Sequence, residues 1–165
     1  MRPERDIWHE RRCLVLLIVG PCEGWRHDLK EVPHFDKVMV VNRAHDFWPD
    51  ADFWASKETE TFGPSKARRI SGDTWINEHV DSHIRLNAWD SGQYAVKLAK
   101  HLGFKDIFVI GMRGTYNLPN SGYDSELELP RCTTSDEVMR ETWKTVDAEG
   151  ITFINSSIST YVQRA

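Results

Sequence analysis

With 165 residues, 40% of them hydrophobic and 28% charged, the chain is long enough for one domain with a real core and lies outside the composition of disordered proteins. A net charge of −4 argues against a dedicated nucleic-acid binder, which needs a concentrated basic surface, so the basic clusters at Arg2 to Arg12 and Lys66 to Arg69 read as solvated faces. Three cysteines (Cys13, Cys22 and Cys132) are odd in number and lack paired metal spacing; this disfavours a disulfide scaffold and points to a reducing, cytoplasmic setting.

Met1 to Arg12 is mostly polar and is expected to be a loosely held lead-in. Cys13 to Val19 is an unbroken apolar run of strand length. It is too short to span a membrane and fits a central parallel strand covered on both faces. Gly20-Pro21-Cys22-Glu23-Gly24 breaks that run, and Trp25 to Glu31 follows as a short helix stopped before Pro33. Lys37 to Val41 predicts a second strand ending at Asn42, and Phe53-Trp54-Ala55 a weaker third. Between Lys57 and Asn87 the periodicity fades: Arg68-Arg69-Ile70 reads as a short strand and Thr74 to His79 as a helical turn.

The most informative stretch is Ala88 to Gly111. Asp90 or Ser91 can cap a helix whose apolar face carries Tyr94, Leu98 and Leu102, with Gly103 as its C-terminal stop; the strand Ile107 to Ile110 then ends in Gly111. A helix feeding a buried strand is half of a βαβ unit and implies a parallel sheet. Residues Gly114 to Arg131 lack periodicity and read as a long loop or flap. A helix from Thr133 or Thr134 to about Ala148 follows, with Val138, Thr142, Thr145 and Val146 as its inner face, and Ile151 to Ile154 is the last strand, ending at Asn155. The expected fold is α/β: one doubly wound, mostly parallel, Rossmann-like sheet spanning the chain as a single domain.

In open parallel sheets ligands collect beyond the carboxyl ends of the strands, here Gly20, Asn42, Gly111 and Asn155. Gly20 and Gly24 allow close backbone approach to a phosphate or ribose, Asn42 can donate and accept to a base or sugar, and Ser91-Gly92 at a helix start offers backbone amides to an anion. The loop after the first strand lacks the Lys-Ser/Thr of a Walker A motif and the GxGxxG spacing of a dinucleotide fingerprint, which disfavours ATP hydrolysis and NAD-dependent hydride transfer. His45, beside Asp46 past the second strand, is the preferred titrating residue. Cys22 reads as an ordinary loop thiol, and His79 and His83 at i, i+4 lack a third ligand for a metal. Most of the tryptophans read as core, with Trp25 and Trp48 best placed to stack on a base.

The segments VGPCEGW (19–25), VVNRA (40–44), DFW (52–54), DSGQYAVKLAKHLGFKDIFVIG (90–111) and GITFINSS (150–157) occur in an order that resembles two families, the bacterial sialyltransferases of Campylobacter type and the archaeal pterin pyrophosphokinase-like proteins. The sialyltransferase resemblance implies a cytidine nucleotide sugar bound without a required metal: Gly20, Pro21 and Asn42 holding the nucleotide, Ser91 and Gly92 the acidic donor, and Tyr116 and Tyr123 supporting the leaving phosphate. Where these families carry an acidic residue after the central strand, this chain has Arg113, and no histidine follows His101 to act as the general base. The expected function is nucleotide or nucleotide-sugar binding with group transfer, glycosyl transfer being favoured, and with Arg113, Tyr116 and helix-start amides stabilising the departing phosphate. One alternative is pterin-type pyrophosphoryl transfer using magnesium held by Asp46, Asp50 and Asp52; the other is a non-catalytic nucleotide-binding module of viral or mobile-element type.

Overall fold

The computed structural model describes residues 10–56, 68–71, 74–76, 88, 90–114 and 136–162. Strands β1 (Val15–Val19), β2 (Lys37–Val41), β3 (Phe53–Ala55), β4 (Arg68–Ser71), β5 (Thr74–Ile76), β6 (Asp106–Ile110) and β7 (Ile151–Phe153) form one sheet in the order β4-β5-β3-β2-β1-β6-β7. The five neighbours β3, β2, β1, β6 and β7 pair in parallel, and β5 and β4 extend that sheet as antiparallel strands. The helices are α1 (Trp25–Leu29), α2 (Ser91–His101) and α3 (Asp136–Trp143), with 3-10 turns at Asn42–Asp46 and Ser157–Thr160. This is the α/β, mostly parallel, Rossmann-like architecture that the alternation of apolar runs and helical periods predicts.

Strand alternation divides the core into two layers. On one face Leu16, Ile18, Met39, Val41 and Phe53 pack with Tyr94, Ala95, Leu98 and Ala99 of α2 and with Met139 and Trp143 of α3. On the other, Leu17, Val19, Val38, Val40 and Trp54 pack with Trp25 of α1 and with Ala44, Phe47 and Trp48. This division follows from handedness. Connections from β1 to β2 and on to β3 step one way across the sheet, those leading to β6 and β7 step the other way, and right-handed crossovers put the two sets on opposite faces. Gln93 Nε2 donates to Thr142 Oγ1 at 2.7 Å, fastening α2 to α3, and Trp143 meets Phe153 edge-on with ring centres 5.8 Å apart. Among the described residues no helix is long and apolar enough to cross a membrane.

Four local expectations are corrected. β1 begins at Val15 rather than Cys13, because residues 10–13 are helical. That turn is also docked rather than loose: Arg11 is buried, its guanidinium lies over the rings of Phe53 (5.6 Å) and Phe104 (6.0 Å), and its Nη1 donates to the Leu102 carbonyl at 3.3 Å. Thr74–Ile76 is a strand rather than a helical turn, with Trp75 in register opposite Trp54 of β3, so sheet extension overrides the weak local signal. Helix α3 stops at Trp143 and not near Ala148. The Thr142 hydroxyl donates back to the Met139 carbonyl (2.9 Å), that of Thr145 to the Thr142 carbonyl (2.7 Å), and Val146 N closes a tight turn onto the Trp143 carbonyl (3.0 Å). Its inner face is Met139 and Trp143, with Val146 buried in the turn that follows, while Val138 is 40% exposed.

Candidate functional site

The strand order reverses direction at β1: β2 and β3 lie to one side, β6 and β7 to the other. The topological switch point therefore falls between the carboxyl ends of β1 and β6, at Gly20 and Gly111. The two backbones meet closely there. Gly20 N donates to the Ile110 carbonyl (2.8 Å) and Cys22 N to that of Gly111 (2.9 Å). A Cβ on Gly20 would stand 2.5 Å from the Gly111 oxygen, and one on Gly111, at φ +68°, 2.2 Å from the Gly20 oxygen. The glycines are thus required first by the contact between the two strand ends, and Pro21 is buried in the loop behind it.

Helix α2 runs antiparallel to the strands and so aims its N-terminus at this crevice. Asp90 caps it, accepting from Gln93 N at 2.7 Å, and a Cβ on Gly92 would lie 3.2 Å from Met112 Sδ, which places Ser91, Gly92 and Met112 together on the α2 side. Asp90→Ala is expected to lower stability by about 1 kcal/mol, measured as a shift in urea midpoint, because the Gln93 amide loses its acceptor. Asn42, past β2, adopts φ +51°. Its Oδ1 accepts from Ser56 Oγ (2.6 Å) and its carbonyl from Trp54 Nε1 (2.8 Å), bonds that do not use Nδ2.

On the other side of the switch point stands a residue the sequence reading passed over. Asp28 of α1 is 1% exposed, and its carboxylate takes four donors. Arg113 Nη1 (3.2 Å) and Asn155 Nδ2 (2.9 Å) reach Oδ1, while Arg113 Nη2 (2.7 Å) and Gly111 N (3.1 Å) reach Oδ2. Arg113 Nε and Nη2 also donate to the Glu23 carbonyl (3.1 and 2.9 Å), and Nη1 donates to the carbonyl of Asn155 (2.9 Å). All five guanidinium N–H groups are therefore used within the protein. The arginine expected to face a departing phosphate instead ties the ends of β1, β6 and β7 to α1. Gly24, at φ +87°, is part of the tie, because a Cβ there would stand 2.7 Å from Arg113 Nη2. Asn155, also at φ +51°, turns its amide to Asp28 and to Glu31. The one signal for Asp28 in the sequence was a carboxylate three residues after Trp25, on the buried stripe of a short helix.

The remaining candidates are dispersed. His45 Nδ1 pairs with Asp46 at 3.0 Å and its ring meets Trp54 edge-on; Arg43 also holds Asp46, through Nε (2.9 Å) and Nη2 (2.6 Å). Asp52 accepts from Val38 N (2.9 Å) and pairs with Lys37 (3.6 Å). Among the described residues no group of three His, Cys, Asp or Glu side chains is placed to hold a metal ion. Trp25 stacks on Phe47 (5.3 Å between ring centres), and Trp48 packs against both Trp25 and Phe35, so both tryptophans proposed for base stacking belong to one aromatic cluster. Tyr116, Tyr123, His79 and His83 lie outside the described residues.

Cys22 is buried, and desolvation pushes its thiol up to about 11, with the nearby Arg113 opposing only in part. The thiol is therefore held neutral near pH 7. The folded state holds this proton above the pKa of about 9 that the unfolded chain has, so stability is lost as pH rises from about 9 to about 11. Over that window the folded-to-unfolded ratio of the wild type is expected to fall about tenfold per pH unit more than that of Cys22→Ala, read from urea titrations of both proteins.

No protein-family model, curated protein or solved structure matches this chain. The site is accordingly defined by its own geometry: two abutting glycine strand ends, a helix start facing them from one side, and an ion-paired tie closing the other.

Proposed function

We propose that the chain binds a nucleotide or nucleotide sugar at the switch point, on the α2 side. In this reading the amides of Ser91 and Gly92 receive the phosphate, Gly20 and Gly111 allow the ligand to approach the backbone, and Asn42 Nδ2 reaches the base or sugar. The observation that carries it is the convergence of the α2 N-terminus on the Gly20–Gly111 contact, at the place where the strand order reverses. Glycosyl transfer is the reaction the family resemblance favours, with Tyr116 and Tyr123 supporting the leaving phosphate and no metal required.

A second reading, a binding module without chemistry, is favoured by the saturation of Arg113 and the pairing of His45 with Asp46, which leave these two of the three candidate catalytic groups with partners inside the protein. Magnesium-dependent pyrophosphoryl transfer has less support, since Asp46 and Asp52 are committed to separate partners. A thermal-shift panel of CMP, a CMP-sugar, GTP and ATP, each with and without magnesium, tests the proposal. A ligand at a hundred times its dissociation constant adds about 2.7 kcal/mol. A metal-independent rise with CMP or the CMP-sugar is expected, turnover of the bound sugar separates the transferase from the module, and no shift with any nucleotide contradicts both.

A further inference from the structure

We infer that the Asp28 carboxylate is a built-in anion filling an oxyanion cradle at the switch point. The donors around it are those of a phosphate or carboxylate site: the fork of Arg113, a backbone amide at a strand end (Gly111 N) and a side-chain amide (Asn155 Nδ2). They are divided evenly, two on each carboxylate oxygen, and they come from the segments that follow β6 and β7, whereas the anion they surround comes from α1. Asp28 is 1% exposed, so the cradle is already occupied and the carboxylate that fills it is shielded from water. Glu31, also bonded to Asn155 Nδ2, adds a second negative group at its rim.

The consequence is a division of the crevice. A soluble anion finds the β6–β7 side closed by a tethered one, and must enter, if at all, on the α2 side beside Ser91 and Gly92. That second half of the inference rests on the nucleotide-binding reading; the first half does not.

Excising the internal anion should expose the cradle to an external one. Asp28→Ala removes a group the size of formate and leaves its donors in place. The experiment compares urea unfolding of wild type, Asp28→Ala and Asp28→Asn in sodium formate and in sodium chloride at equal ionic strength. Formate is expected to raise the folded-to-unfolded ratio of Asp28→Ala about tenfold over chloride at ten times its dissociation constant. It should leave wild type and Asp28→Asn, whose cradles are filled, equal in the two salts. If Asp28→Ala does not accumulate folded, the same comparison is made as refolding yield from urea in the two salts, with a higher yield in formate expected. Equal behaviour of Asp28→Ala in formate and chloride, by stability or by yield, overturns the inference. An equal formate effect on all three proteins does so too. Neither outcome depends on nucleotide binding, so a failure here and a failure of the nucleotide panel are separately visible.

Discussion

Arg113→Met is expected to lower the unfolding free energy by about 3–5 kcal/mol, the cost of stranding a buried charge without its partner. Asp28 is 1% exposed and cannot recover water when the guanidinium goes; it keeps only Gly111 N and Asn155 Nδ2. The substitution also leaves the Glu23 and Asn155 carbonyls without the donors that now reach them. Arg113→Lys should recover only part of the loss, because an ammonium cannot reproduce a fork that spans both carboxylate oxygens and two carbonyls. Adding Asp28→Asn to Arg113→Met should restore some stability, since the stranded group is then neutral. Chemical denaturation of the four proteins checks this ordering. A loss below about 1 kcal/mol in Arg113→Met would mean that the ion pair behaves like an exposed one.

Gly111→Ala is expected to cost about 2–6 kcal/mol, from two separate causes. At φ +68° a side chain sits in the left-handed region, worth about 1–3 kcal/mol, and its Cβ would stand 2.2 Å from the Gly20 oxygen, forcing the two strand ends apart at a further cost of about 1–3 kcal/mol. Gly20→Ala tests the second cause alone: it has no positive φ, but its Cβ meets backbone at 2.5 Å, so a loss of about 1–3 kcal/mol is expected. If the two variants are equally stable, backbone conformation contributes nothing at Gly111. Separation of the strand ends should also weaken any ligand that spans them, so nucleotide affinity should fall in both variants under the proposed function.

Much of this architecture was legible because it is written in local signals. The runs Cys13 to Val19 and Lys37 to Val41 and the capped stretch from Asp90 to Gly111 each carry their own pattern and punctuation, and each forms the element predicted, to within two residues. The errors arise where tertiary pairing decides. Thr74–Ile76 has no strand signal strong enough to read alone, and becomes a strand by lying against β3. Trp143 and Met139 set the buried face of α3, one position away from the stripe that began at Val138, because the helix ends on threonine back-bonds that periodicity does not reveal. At the candidate site, composition identified the strand-end glycines and asparagines but not their use. Gly20 and Gly111 serve each other before any ligand, and Arg113 reads from the sequence as facing a departing phosphate because its actual partner lies 85 residues away, on a five-residue helix. An ion pair over that separation leaves no trace in spacing.

The central claim is that a nucleotide occupies the switch point on the α2 side. Titrating isotope-labelled protein with CMP while following backbone amide resonances tests it most directly. Saturable shifts are predicted to centre on Gly20, Asn42, Ser91, Gly92 and Met112, with smaller changes at Lys100 and Lys105, near the end of α2 and the start of β6. Saturable shifts clustered away from those strand ends, or none at all with CMP, a CMP-sugar, GTP or ATP, would contradict it.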